Sequence, residues 1–336
     1  MTARFVFVAL VLFCGSVDAK DLSPREIYEQ TSPAVVMVMG HSDSGKGGSG
    51  GTGSIIQSDG LVLTNAHVVI EERTGKPYPR LSVYLKPARV TGEAKVDLAR
   101  MAKARIVAYS TPLDLALLKL ENVTGSLPTI ELSDSDRTRI GDRVVAIGHP
   151  EQGGLWTLTT GVISAEVDNF NGIKGKHVFQ TETGLNRGNS GGPLVDGDGH
   201  MIGVNTAIAR VAPDGLPITS ISFSLKSSVA KQWLREQGTM VSSASVPSGP
   251  APTRAASEVA PLPPPSAPAP GSIPTPAPLP GPSQAAPVKP SAPVKPNDNA
   301  PPSRAYNLDE LVNDRSKAEA DLEGMISEMR SRMKGR

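Results

Sequence analysis

Gly188-Asn189-Ser190-Gly191-Gly192-Pro193 is the stretch on which the reading of this chain turns. Glycines on both sides of one serine let the backbone approach a ligand closely and turn successive N–H groups toward one point. The N–H groups of Gly188 and Ser190 are the candidates for meeting a developing oxyanion. A serine hydroxyl is a poor nucleophile unless a base takes its proton. An imidazole base in turn needs a carboxylate to fix its tautomer and steady its charged form. Working outward from Ser190, the sequence supplies both. Thr64-Asn65-Ala66-His67 ends a strand-like run and leads into Val68-Val69, and Asp114 stands just before Leu115-Ala116-Leu117-Leu118-Lys119-Leu120. Each element alone is weak. In the order His, Asp, Ser, each in this local context, they are strong.

The surroundings of these motifs are short apolar runs punctuated by turn signals. Segments 35–39, 54–57, 61–64, 81–85, 115–120, 143–147, 157–163, 178–181, 193–195 and 201–207 read as strands. Ser58-Asp59-Gly60 and Asp196-Gly197-Asp198-Gly199 look like hairpin turns. Many short strands with few helical periods predict an all-β barrel or sandwich. Two helices are expected, one opened by the capping box Ser23-Pro24-Arg25-Glu26 and one over 227–236 that closes the domain.

The flanks differ in composition. The chain has 336 residues and 31 prolines, 20 of them between Pro247 and Pro302, a stretch that cannot bury enough apolar surface to fold. The expected organisation is a signal peptide at 1–19, one catalytic unit at 20–242, a disordered Pro/Ala/Ser-rich spacer at 243–305 and an amphipathic helix at 306–336. The signal reading rests on Arg4, the apolar run Phe5 to Phe13, and small residues at Val17 and Ala19, a run too short to span a bilayer. A lipoprotein signal acylated at Cys14 is the competing reading, opposed by Phe13 where a small residue is needed. The terminal helix carries Leu308, Leu311, Ala318, Leu322, Met325 and Met329 at spacings of three and four, a face that must pair with the catalytic domain, with itself or with another protein. A net charge of +1 gives no electrostatic reason to expect nucleic acid or an anionic membrane, and the single cysteine excludes a disulfide scaffold or a thiolate zinc site. No cofactor or metal is expected.

With these residues in view, the chain resembles the trypsin-like serine proteases, and among them the HtrA (Deg) family of exported proteases. The resemblance runs from about Pro33 to Leu225. It is carried by Gly51-Thr52-Gly53-Ser54, the segment from Leu63 to Val69, Asp114-Leu115-Ala116-Leu117-Leu118, Ile140 to Gly148, Thr160-Gly161-Val162-Ile163-Ser164 and Gln180 to Pro193. It implies a fold of two six-stranded β-barrels, with His67 as general base, Asp114 as its orienter, Ser190 as nucleophile, and Gly188 and Ser190 as the oxyanion hole. It implies a periplasmic or secreted endopeptidase acting on unfolded or damaged envelope proteins. The rival function is a client-binding chaperone or assembly factor with a latent protease domain. The family forms trimers through N-terminal segments, which makes a homotrimer the candidate assembly, with Ile27 or Tyr28 available for the contact.

In this fold the floor of the primary pocket lies six residues before the nucleophile, at Gly184 rather than at an acid. By resemblance Leu185, Ser224 and Leu225 line the pocket, which predicts cleavage after small or medium aliphatic residues. Three departures stand out. The family usually has PDZ domains where the Pro-rich spacer is expected here. The interval between His67 and Asp114 is long, with its surplus expected in a solvated basic loop around 86–105. His149 stands where the family often has Asn, and reads as a hydrogen-bonded structural histidine.

Other motifs are set aside. Gly40-His41-Ser42-Asp43-Ser44-Gly45-Lys46 resembles a phosphate loop, but Gly47 replaces the Ser or Thr that would hold magnesium. The G-x-S-x-G pattern around Ser190 lacks a suitable downstream acid and histidine for an α/β-hydrolase. Asp196-Gly197-Asp198-Gly199 lacks the glutamate at position twelve of a calcium loop.

Overall fold

The computed structural model describes residues 21–42, 48–151, 153–208 and 221–241. The expected signal peptide, spacer and terminal helix lie outside the described residues, as does most of the glycine-rich loop after Gly40.

The chain enters through helix α1 (Pro24–Thr31). Ser23 Oγ accepts the Glu26 N–H while the Glu26 carboxylate accepts the Ser23 N–H at 2.8 Å, so the capping box forms as expected. Strands β1 (Val35–His41), β2 (Gly48–Gln57) and β3 (Leu61–Thr64) follow, then the single turn α2 (Ala66–Val69). A small ribbon of β4 (Ile70–Glu71) and β5 (Lys76–Pro77) precedes β6 (Arg80–Leu85), the short α3 (Ala94–Asp97), β7 (Met101–Ser110) and β8 (Leu115–Leu120). The second half holds β9 (Arg143–Gly148), β10 (Thr157–Val167), β11 (Val178–Thr181), β12 (Pro193–Val195), β13 (Met201–Ile208) and β14 (Ser222–Lys226), closed by α4 (Ser227–Glu236).

Hydrogen bonding closes β1-β2-β3-β8-β7-β6 into one barrel and β10-β11-β14-β13-β12-β9 into another. Closure leaves neither barrel a free edge. Register shifts in β2–β3, β7–β8, β10–β11, β12–β13 and β13–β14 supply the bends that a six-stranded barrel requires. β1 is buried along its whole length. Its residues join Val62, Leu63, Leu117 and Leu118 of the first barrel and Val145, Ile147, Val204 and Leu225 of the second in one continuous apolar cluster. A smaller cluster of Val144, Ala146, Ile163, Phe179, Leu194 and Ile202 sits within the second barrel. α4 lays Val229, Ala230, Trp233 and Leu234 onto this core.

One expectation changes. The end of the expected basic loop, from Met101, is not loop but the start of strand β7: Ala104, Ile106 and Ala108 are partly shielded while Lys103, Arg105, Val107 and Tyr109 point outward. Alternation with period two makes this a half-buried strand despite its charge. Before it, the buried Asp97 carboxylate accepts the Thr91 N–H at 2.8 Å and the Gly92 N–H at 2.9 Å, which ties down the preceding turn. Of the two residues named for a trimer contact, Ile27 is buried in the chain's own core, and the half-buried Tyr28 donates its hydroxyl to the Trp156 carbonyl at 2.9 Å.

Candidate active site

His67 reaches solvent because of how the chain leaves β3. Thr64 and Asn65 are fully buried, and the turn of α2 that follows buries Val68 and Val69. That anchoring leaves His67 as the one exposed residue of the turn, its side chain 49% accessible. Asp114 sits at the same end of the β3–β8 pairing, one residue ahead of β8, because the antiparallel register sets Ala116 opposite Thr64. Its φ of +59° belongs to the left-handed region, which Asp tolerates better than most residues, and the Asn65 amide fixes its carbonyl at 2.7 Å.

The two side chains meet directly. His67 Nδ1 lies 2.8 Å and 3.0 Å from the two Asp114 carboxylate oxygens, and the His67 backbone N–H donates to the same carboxylate at 3.0 Å. A carboxylate can only accept, so the proton sits on Nδ1 and the Nε2 lone pair is left to act as a base. Thr206 Oγ1 donates a further bond to Asp114 at 2.7 Å. Burial would raise the Asp114 pKa, but the His67 contacts, with help from Thr206, outweigh it and hold the acid below the usual carboxylate value. Asp114 is therefore an anion at neutral pH.

Ser190 comes from the second barrel. Its carbonyl accepts the Thr52 N–H at 2.8 Å, which ties the serine loop to the first barrel. Gly191 donates to the Asn205 carbonyl at 2.8 Å and Gly192 accepts from the Asn205 N–H at 2.9 Å. Since Thr206 follows Asn205, one dipeptide of β13 touches both the serine loop and the Asp114 carboxylate. A Cβ on Gly191 would stand 2.2 Å from both the Thr52 carbonyl and Thr64 Oγ1, so only glycine lets the loop come this close. Gly188 has φ +92°, and a Cβ there would meet the His149 carbonyl at 2.0 Å. Among the described residues the N–H groups of Gly188 and Ser190 donate to no protein acceptor.

The other expected pocket residues are placed as follows. Gly184 is exposed, and a Cβ there would touch only Thr159 Cγ2 at 3.9 Å. Leu185 is half-buried against the smaller apolar cluster. Ser224 is buried with its hydroxyl donating to Asn205 Oδ1 at 2.7 Å, and Leu225 lies fully inside the core. Of the four, Gly184 and Leu185 keep accessible surface.

Sequence reasoning missed Thr206, Asn205 and Thr52. Asn205-Thr206 did carry a signal, being two polar residues inside the otherwise apolar run of β13. It also missed Lys176, which is buried beside the site and donates to the Pro112 carbonyl at 3.1 Å. Burial pulls its pKa below the usual lysine value, against the pull of the Asp114 charge. At the β12–β13 turn the ligand atoms of Asp196, Asp198 and His200 lie within 4.8 Å of one another. The Asp196 carboxylate is already engaged by the backbone N–H groups of Asp198 and His200 at 3.1 and 2.8 Å, the pattern of a capped turn.

Residues 51–204 match the model of the trypsin-like peptidase domain. Over 199 residues the chain is 37% identical to the periplasmic serine endoprotease DegP of Escherichia coli strain K12, covering 56% of this chain and 37% of DegP. Over 190 residues it is 36% identical to the magnetosome formation protease MamE of Paramagnetospirillum magneticum, covering 56% of this chain and 23% of MamE. The chain thus spans less than half the length of the curated relatives it matches. The solved structure of the HtrA-type protease AlgW with a tripeptide superimposes with a TM-score of 0.52 at 32% identity, covering 65% of each chain. The double barrel of this chain carries a match to the trypsin-like peptidase domain, and over that domain its sequence is similar to HtrA/DegP-type serine proteases.

Proposed function

We propose that this chain is an exported serine endopeptidase in which Ser190 attacks the scissile carbonyl and His67 takes its proton. Asp114 holds the His67 tautomer and steadies the imidazolium. The N–H groups of Gly188 and Ser190 receive the oxyanion of the tetrahedral intermediate, which collapses to an acyl-enzyme as His67 returns the proton to the leaving amine. Water, activated by the same histidine, then frees the acid product. The observation that carries this reading is the bidentate approach of His67 Nδ1 to an Asp114 carboxylate that shares the β13 dipeptide with the serine loop.

The substrate reading follows from the pocket. Gly184 contributes no charge to hold a lysine or arginine, and Leu185 adds an apolar wall, so small or medium aliphatic residues fit best. Such a pocket separates neighbouring aliphatics by only about 1–3 kcal/mol, which makes the preference broad. The periplasmic location named for DegP supports an exported enzyme acting on unfolded envelope proteins.

Replacing Ser190 with Ala tests the assignment. Hydrolysis of casein and labelling by a fluorophosphonate should both vanish while the fold persists by circular dichroism. Retained turnover would refute it. Casein retention by the inactive variant, with no labelling of the wild type, would favour a latent client-binding domain instead.

A further inference from the structure

Gly188 is the residue on which the proposed oxyanion site depends, and it is also the residue least able to hold itself in place. Without a Cβ, its flanking peptides can rotate at little steric cost. Both are held from outside. The Arg187 carbonyl accepts the Glu151 N–H at 2.6 Å, and the Arg187 guanidinium lies 3.5 Å from the Glu151 carboxylate. A trans peptide carries its N–H opposite its C=O, so this bond aims the Gly188 N–H away from the loop after β9. The Gly188 carbonyl accepts the Thr52 hydroxyl at 2.6 Å.

The Thr52 hydroxyl has one proton, and a carbonyl can only accept. That proton is therefore spent on Gly188. His149 Nδ1, 3.0 Å from the same oxygen, must then be a donor, and the His149 backbone N–H reaches it as well at 3.2 Å. The imidazole is fully buried and packs edge-on against Trp156, with ring centroids 4.7 Å apart. Trp156 is itself pinned by its indole N–H on the Val35 carbonyl at 2.8 Å. Burial drives the His149 pKa down to about 3, so the ring stays neutral, with its proton on Nδ1, through the working pH range.

We infer that His149 and Thr52 are positioning residues for the oxyanion site: His149 orients the Thr52 hydroxyl, which clamps the Gly188 carbonyl and so fixes the Gly188–Asn189 peptide, the one that links the Gly188 N–H to the nucleophile's own stretch of backbone. The inference rests on the reading of Gly188 and Ser190 as oxyanion donors. A ring that merely filled space would stabilise the fold without selecting for the transition state. A clamp acts on kcat, because the oxyanion exists only after attack.

The test uses the full-length protein, a chromogenic peptide with an aliphatic residue before the cleaved bond, and the matching peptide aldehyde as a tetrahedral mimic. Thr52→Val should lower kcat by about 10- to 100-fold, with KM within about twofold and aldehyde affinity falling in step, as for the loss or misplacement of one oxyanion donor. Thr52→Ser should keep most of the activity. His149→Leu should fall like Thr52→Val, whereas His149→Asn, which retains a donor, should not. The Thr52→Val/His149→Leu double variant should be no worse than Thr52→Val alone. Wild-type kcat in Thr52→Val, equal losses in Thr52→Ser, or multiplying losses in the double variant would each overturn the inference. Should Thr52→Val fail to fold, the contrast between His149→Leu and His149→Asn carries the test. An inactive Ser190→Ala beside a fully active Thr52→Val would defeat the clamp alone, whereas an active Ser190→Ala would defeat the underlying reading.

Discussion

A buried neutral imidazole makes stability sensitive to pH. His149 titrates near 6.5 when the chain is unfolded and at about 3 when folded. Its folded value is depressed, so the stability tied to it is complete above pH 6.5 and is lost progressively as pH falls toward 3. Asp114 is also depressed and adds a second loss, confined to pH below the ordinary carboxylate value. Between pH 6 and 4 the slope from one extra proton on the unfolded chain is about 1.4 kcal/mol per pH unit. Urea denaturation of wild type and His149→Asn at pH 7, 6, 5 and 4 should show a shallower decline in the variant. Parallel curves would mean that the ring is protonated in the native state. At this scale the sequence was legible where the chemistry is bound to local context: Asn-Ala-His after a strand, Asp before one, and Ser among glycines. Thr52 was not legible and Thr206 showed only as a polar residue in an apolar run, because each acquires its role from a neighbour far along the chain, and only the packing of one barrel on the other brings Thr206 to Asp114.

Elements show the same division. α1 and α4 were readable because a capping box and a helical period are written in adjacent residues, and α4 ends where expected at Glu236. β7 was obscured by its lysine and arginine, although its alternation was there to be counted. β14 was obscured for the opposite reason, since Ser222 and Ser224 face inward and satisfy their hydroxyls on the Thr183 carbonyl and on Asn205. Buried serines with partners cost little, but a sequence does not display the partners. The capping box gives an element-level prediction. Ser23→Ala should cost about 1 kcal/mol, with melting lowered by about 2–4 °C and kcat unchanged. An unchanged melting temperature would show that α1 is held only by the packing of Ile27.

For the whole molecule, the decisive feature is the seam between the barrels. His67 and Asp114 belong to the first barrel and Ser190 to the second, and hydrogen bonds from Thr206 to Asp114, Trp156 to Val35 and Thr52 to the Ser190 carbonyl cross between them. The larger apolar cluster runs through the seam without interruption. Separating the barrels would expose that cluster, so the domain should unfold as one cooperative unit. Loss of peptide hydrolysis, of tryptophan fluorescence and of far-ultraviolet dichroism should then coincide along a urea titration. Turnover lost well before the dichroism would reveal a looser seam. The continuous core also governs how such a protein can be inherited or engineered. A barrel grafted from a relative would bring its own half of the catalytic residues but the wrong half of the contact surface, so the unit that can be exchanged is the pair of barrels.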